Sequence, residues 1–481
     1  MGACSIRASA PVVAPAANHE QRPRRTQLRK DAMNEALVSH DGPGHRWLAG
    51  LHTRGVQLGL ERMRAVCDRL GAPQLAVPTV LVAGTNGKGS VTAMLGELLQ
   101  AAGCKVGVTI SPHLVETRER VRVGGACVAA EVLDVALQRV QAACERPSEP
   151  TLEITPFEAL TAAAMLCFAA ARVDVAVLEV GLGGRLDATN VCEPLVSVVT
   201  RIGHDHQAIL GNTLAEIAGE KVAIAREGRP LIVSQAAVTL GALRRLGISP
   251  QVLKVGADLR IEQGSVSAKS LRTSAVLHGR AVGEPLHVEV GLGGQHQLEN
   301  AAAAVLAYEA LRAPLKAVDG PTLPPVVEVA DALADVPWPG RAEIVLERPM
   351  VVVDGAHNPE GFQVLRDLLM ARGQHWQVIL SLRDNRDPEE AIRTLEPIAD
   401  CFWLPRMQGT TLRPARALAD VVEAVAPEVP IAVGPPEACL HQAIAEASPQ
   451  GGVVVTGSLH AVGEWFGRGL IDSGRLRRWL G

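Results

Sequence analysis

Aromatic residues are scarce in this chain: one tyrosine, five phenylalanines and six tryptophans among 481 residues. Leucine, valine and alanine must therefore fill its core. A surplus of one charge is lacking too. The formal net charge is −4, and with no basic tract in the body of the chain no nucleic-acid partner is expected. The nine cysteines (Cys4, Cys67, Cys104, Cys127, Cys144, Cys167, Cys192, Cys401 and Cys439) form no C-x-x-C pair. Neither a zinc motif nor a disulfide framework is indicated, and free thiols in a reducing compartment are expected. Long hydrophobic runs are missing as well. The most apolar stretch, Ala159 to Ala171, is shorter than the ~20 residues of a membrane span and reads as a buried helix. No charged-then-apolar signal peptide opens the sequence. The expectation is a cytoplasmic protein with no membrane partner.

What is present fits a globular protein, with 47% apolar and 20% charged residues. A chain this long exceeds one ordinary core, so two domains plus connectors are expected. Residues 1–45 are rich in Ala, Pro and Arg, with Arg22, Arg24, Arg25, Arg29 and Lys30 clustered. They read as a disordered extension or a start placed too early, Met33 being a candidate, with a transit peptide as the alternative. The body then alternates strands and helices. Thr79–Ala83, Val106–Ile110, Val173–Leu178 and Leu195–Thr200 are apolar strands with helical crossovers, the mark of a parallel α/β sheet buried on both faces. Prolines concentrate between Leu311 and Trp338, so residues 312–338 read as a linker between domains at 46–311 and 339–481. The second domain is again α/β, and smaller.

Gly84-Thr-Asn-Gly-Lys-Gly-Ser90 lies between a strand and a helix. Glycines let backbone N–H groups curl around phosphate, the helix adds its positive end, and Lys88 supplies a mobile cation. Gly89 parts the lysine from Ser90, unlike the usual nucleotide loop. Glu179 ends a buried strand just before Gly181-Leu-Gly-Gly-Arg-Leu-Asp187, where parallel sheets bind ligands. Because Mg²⁺ takes few protein oxygens besides phosphate and water, one Glu and one hydroxyl suffice. His204-Asp205-His206 follows the next strand, and without a third ligand at metal-site spacing it fits a phosphate-bound Mg²⁺ better than zinc. Lys221, on a helix over Thr213–Arg226, reads from its local pattern as a solvated lysine. Beyond the linker, Arg341 can neutralise phosphate and Asp354 can accept from a ribose hydroxyl.

These segments resemble the folylpolyglutamate synthase/dihydrofolate synthase family of the Mur ligase superfamily. The resemblance runs in order through Leu58–Arg62, Ala83–Ser90, Ser111–Leu114, Glu119-Arg120, Glu179–Asn190, Asp205-His206, Glu220-Lys221, His296-Gln297 with Asn300, Pro339–Arg341 and Asp354–Pro359. It implies a P-loop-type parallel-sheet ATPase domain followed by a smaller Rossmann-like domain. It also implies ATP contacts at Gly84, Thr85, Asn86, Gly87, Lys88, Gly89 and Ser90, and at Asn300, Arg341, Asp354 and His357. Ser111, Glu179 and His206 would hold Mg²⁺, and Lys221 would be carbamylated and bind a second metal. Lys88, His206, Lys221 and Arg341 would act in catalysis. Thr155, Phe157 and Glu158, with Leu186, Asp187 and Ala188, would contact the pterin-bearing substrate, beneath a mobile loop at Ser111–Arg120. Ser381–Asp387 follows the family's Leu-x-Asp-Lys-Asp segment only loosely.

The activity implied is ATP-dependent joining of L-glutamate to dihydropteroate or to folate glutamate tails through an acyl phosphate, with Mg²⁺ and a monovalent cation as cofactors. The partners expected are these small molecules, in a monomeric protein. The alternatives are an amide ligase acting on a cell-wall precursor and a non-catalytic nucleotide-binding regulator on the same scaffold.

Overall fold

The computed structural model describes residues 42–51, 57–373, 375–407, 412–448 and 451–481. The basic extension and Met33 lie outside them. Helix α1 (Pro43–Gly50) begins inside the stretch read as extension. It is tied down by His45, whose backbone N–H and Nδ1 both meet Asp134 Oδ1 at 2.9 Å.

Eight strands form the first sheet: β1 (Thr79–Ala83), β2 (Val106–Thr109), β3 (Val121–Val123), β4 (Ala126–Cys127), β5 (Val175–Glu179), β6 (Val196–Val199), β7 (Pro230–Val233) and β8 (Gln251–Lys254). Their order is β4-β3-β2-β5-β1-β6-β7-β8. From β2 to β8 neighbours run parallel, and β3 and β4 add an antiparallel edge. Every residue of β1 and β5 is buried, because helices cover both faces. Helix α2 (Lys88–Ala101) packs on one face, α3 (Ala130–Cys144) and α4 (Pro156–Ala171) on the other. The apolar Ala159–Ala171 run lies inside α4 and is buried as far as Phe168. Its start is set locally: Thr155 and Glu158 form a capping box, and Pro156 occupies the first turn, where its missing N–H costs nothing.

A three-stranded antiparallel sheet, β9 (Arg260–Val266), β10 (Arg272–His278) and β11 (Leu286–Gly293), stands beside the parallel sheet. Helix α5 (Leu214–Val222) stops short of Arg226, and Thr213 caps its start. Helix α6 (His296–Ala317) continues past Leu311 into the proline-rich segment, which then forms two short 3-10 turns.

The second domain holds β12 (Glu343–Glu347), β13 (Met350–Val353), β14 (Trp376–Leu380), β15 (Ala399–Pro405), β16 (Ile431–Gly434) and β17 (Gly452–Thr456), ordered β12-β13-β17-β14-β15-β16. Only β12 is antiparallel. Helices α7 (Pro359–Met370), α8 (Leu459–Gly467) and α9 (Gly474–Leu480) are among the helices of this domain. Six of the few aromatics (Trp376, Trp465, Trp479, Tyr308, Phe168 and Phe402) are among the largest fully buried side chains, so they do work in the core. The eight described cysteines are buried, and none of them forms a disulfide. No helix among the described residues is long and apolar enough to cross a membrane.

Candidate functional site

Parallel strands deliver their carboxyl ends to one edge, and loops there face a common crevice. In the first sheet the adjacent strands β2, β5, β1 and β6 lead into Ser111, Glu179, the loop at Gly84, and His206. In the second, β13, β17 and β14 lead into Asp354, Ser458 and Arg383. Both edges open onto one cavity of ≈ 350 Å³. Residues 84–90, Ser111, Glu179, His206, Lys221, Asn300, Arg341, Asp354 and His357 all line it.

The glycine loop is shaped by its neighbours. Thr85 and Asn86 donate their amides to Arg201 O at 2.8 and 3.3 Å, so these two are engaged within the protein. The first bond within α2 runs from Val91 N to Gly87 O at 2.9 Å, and the amides of residues 88–90 precede it. No side chain caps this helix, whose leading residue Gly87 has φ +91°. Its open amides and positive end suit an anion. A Cβ on Gly87 would lie 2.4 Å from Asn300 Oδ1, and one on Gly89 2.4 Å from Trp338 Cζ2. The glycine after Lys88 therefore reflects a tryptophan seated against it. Lys88 Nζ rests on the carbonyls of Gly84 and Thr85 at 3.2 and 3.1 Å.

Glu179 is buried and accepts from Ser111 N at 3.0 Å. Burial pushes its carboxyl above the ordinary range, and Lys88 is the strongest counterweight. Lys221 is 4% exposed, contrary to the solvated reading, and Nζ donates to Gly84 O at 2.9 Å. Burial, with Lys88 adding to it, pushes this amine down to about 7. His206 sits at φ +52° beside Asp205. Burial lowers its pKa, and the cations of Arg386, Lys88 and Lys221 act in the same direction.

From the second domain, Asp354 accepts the amides of Ala342 and Ala356, both at 2.8 Å, which clips the turn carrying Arg341 to the end of β13. Burial lowers the Arg341 pKa against the pull of Asp354 and Glu179. His357 Nδ1 meets Gly355 O at 2.8 Å, which assigns the proton to that nitrogen. Three contacts that the sequence did not expose join the domains at the cavity. Asn86 Nδ2 donates to Glu360 Oε2 at 2.7 Å, Asn358 Nδ2 to Asn86 Oδ1 at 3.1 Å, and Arg386 to Asp205. Arg386 lies in the very segment that follows its family pattern loosely.

The residues assigned to a pterin-bearing substrate stand apart from this cavity. Phe157 lines a smaller neighbouring one with Arg120, Thr161 and Glu179, and its ring covers Gly181. Thr155 and Glu158 are occupied in capping α4. Asp187 is buried, accepting from Thr189 and from Leu182 N at 2.9 Å, which closes the loop after β5. Leu186 and Ala188 flank it without lining the cavity.

No cluster of three or more His, Cys, Asp or Glu suited to a metal occurs among the described residues. One carboxylate, one hydroxyl and one imidazole are a poor zinc site. They fit a magnesium ion that draws most of its ligands from phosphate and water.

Two α/β domains meeting over an open helix start, a lysine and an arginine define a nucleotide-dependent ligase of the Mur type, and family models agree. The Mur ligase middle domain matches residues 82–308, and the Mur ligase, glutamate ligase domain matches residues 340–459. The dihydrofolate synthase/folylpolyglutamate synthase of Bacillus subtilis is 36% identical, over 78% of this chain and 87% of the relative. That of Escherichia coli is 33% identical, over 76% and 81%. Among solved structures, Escherichia coli FolC in complex with DHPP and ADP superposes with a TM-score of 0.75 at 30% identity, covering 89% of this chain and 97% of that one. The chain belongs to the dihydrofolate synthase/folylpolyglutamate synthase family.

Proposed function

We propose that this chain joins L-glutamate to dihydropteroate and to the glutamate tails of folates, converting ATP to ADP and phosphate. The observation that carries this is one cavity holding Lys88, Glu179 and His206 from one sheet and Arg341 and Asp354 from the other.

A carboxylate resists amide formation because it is anionic and has a poor leaving group. Transfer of the ATP γ-phosphoryl group to the acceptor carboxylate releases ADP and leaves an acyl phosphate. The glutamate amine then attacks the acyl carbon, phosphate departs, and the amine proton passes to solvent or a nearby base. In this reading the amides of residues 87–90 and Lys88 hold the phosphates, while Arg341 approaches the transferred group from the other domain. Asp354 holds the Arg341 turn, and the interdomain contacts of Asn86 and Asp205 keep water from the acyl phosphate. Ser111, Glu179 and His206 are the residues that would hold Mg²⁺, which supplies charge neutralisation to the phosphates. Lys221, carbamylated, would add an anion for a second metal. Phe157 and the small cavity beside Glu179 are the proposed seat of the pterin end. The protein acts as a cytoplasmic monomer on small-molecule substrates.

The test is purified protein with Mg-ATP and radiolabelled glutamate, offered dihydropteroate and tetrahydrofolate in separate reactions. Labelled product with matching phosphate release is expected. If neither acceptor supports turnover, the assignment fails, and turnover with a UDP-linked muropeptide would replace it.

A further inference from the structure

Helix α9 plays no part in the chemistry above, yet its residues reach the Arg341 turn and the edge of the first sheet, and through Trp338 they connect to the phosphate loop. Arg475 Nη1 donates to Arg341 O at 3.0 Å, and Nη2 donates to Gly291 O at the end of β11. Buried Glu343 bridges the same turn to the helix start. One oxygen accepts from Gly340 N at 3.0 Å, the other from Ser473 Oγ at 2.6 Å and from Arg475 N at 3.4 Å. Trp338, three residues before Arg341, stands edge-on to Trp479 with centroids 4.8 Å apart at 74°, and its Cζ2 lies against Gly89. The Arg341 guanidinium lies 5.9 Å from the Trp338 ring centroid. Trp479 is in turn fixed from behind: Arg122 lies 3.5 Å over its ring and donates to its carbonyl, which Cys127 Sγ also reaches at 3.3 Å.

We propose that α9 is a brace setting the distance between Arg341 and the phosphate loop, with Arg475 and Trp479 as positioning residues. This rests on the proposed role of Arg341 at the nucleotide. Two rigid routes start from the helix. One runs through Arg475 and Glu343 to the backbone on either side of Gly340. The other runs through Trp479 and Trp338 to Gly89, the residue following Lys88. Trp338, Trp479, Glu343 and Ser473 on these routes are buried, so displacing either end moves a charged group of the site relative to its partner. A misplacement well under the length of a bond would weaken transition-state contacts while leaving ground-state nucleotide binding largely intact.

A double-mutant cycle tests this. Arg475→Met is expected to lower kcat about tenfold, the scale of one lost hydrogen bond from a charged donor, with less than about a twofold change in KM for ATP. Arg475→Lys, which can still reach the Arg341 carbonyl, should recover part of the loss. In an Arg341→Met background, Arg475→Met should change kcat by less than about twofold, because the group it positions is gone. Additive losses would overturn the brace while leaving the role of Arg341 standing. A lowered Tm with unchanged kcat per folded molecule would overturn it too. An Arg341→Met enzyme with parental activity would overturn the role of Arg341 and the brace together. Ser473→Ala, which removes the hydroxyl donated to Glu343 together with the cap that accepts Leu476 N at 2.9 Å, carries the same cycle if Arg475→Met does not fold.

Discussion

Arg386 Nη1 donates to Asp205 Oδ1 at 2.9 Å, an ion pair that ties the second domain to the residue preceding His206. Burial opposes ionisation of Asp205, yet His206 and Arg386 hold its carboxyl below the ordinary value. The same oxygen accepts His206 N at 2.9 Å, so the pair also fixes the backbone that presents the imidazole. Removing the guanidinium leaves a partly buried carboxylate unpaired and loosens closure. Arg386→Ala should cost about 1–3 kcal/mol of coupling between the domains, a loss of roughly 5–150-fold in kcat/KM. Steady-state kinetics on the variant decide the matter, and unchanged kcat/KM would show that closure does not depend on this pair.

Gly89 and Trp338 are in contact, and a methyl group at position 89 would sit 2.4 Å from the ring. Overpacking of this kind costs about 1–3 kcal/mol, and here the strain falls on the loop that carries Lys88. Gly89→Ala should lower both Tm and turnover. Shrinking the partner in Gly89→Ala/Trp338→Leu should restore Tm more than turnover, since Trp338 also packs near Arg341. A Gly89→Ala enzyme with parental Tm and kcat would contradict the contact.

Lys221 is buried with its amine pushed down to about 7. Above that pH the amine is neutral and able to add CO₂, forming a carbamate and releasing a proton. Carbon-13 NMR with labelled bicarbonate at pH 8 should show a carbamate signal that Lys221→Arg lacks. Activity in CO₂-free buffer should fall and return on adding bicarbonate. A spectrum without that signal would remove carbamylation from the proposal.

Burial pushes His296 and His357 down to about 4 from an ordinary value of 6.5. Between about pH 6.5 and 4 the unfolded chain binds protons that the folded one refuses, so their contribution to stability is full above that window and falls as the pH falls through it. Glu179 and Asp354, raised by burial, act in the opposite direction. The comparison is therefore between variants and parent: His296→Gln/His357→Gln should lose less Tm than the parent between pH 7 and pH 5. Parallel curves would refute the assignment.

Local chemistry made much of the scaffold legible. Buried runs such as Thr79–Ala83 are strands because they are uniformly apolar and short. The turn Gly84–Ser90 announces itself through glycines placed between strand and helix, whereas Thr155 and Glu158, read as substrate contacts, form the capping box of α4. The sheet β9–β11 was missed, although Leu286, Val288 and Val290 are buried while His287 and Glu289 are exposed. That alternation of period two is the sequence mark of a strand with one buried face. The burial of Lys221 has no such mark, because nothing in its own helix separates it from a surface lysine.

By itself, the sequence determined the two α/β units, the phosphate-type loop and the carboxyl-edge placement of Glu179 and His206. Each follows from residue types and spacings within a few turns of chain. Only the tertiary structure decided that Trp338 sits on Gly89, that Glu360 and Asn358 engage Asn86, that Arg386 pairs with Asp205, and that Arg475 reaches Arg341. Such partners are brought together by the packing of whole sheets and helices, which side-chain periodicity along one segment does not encode.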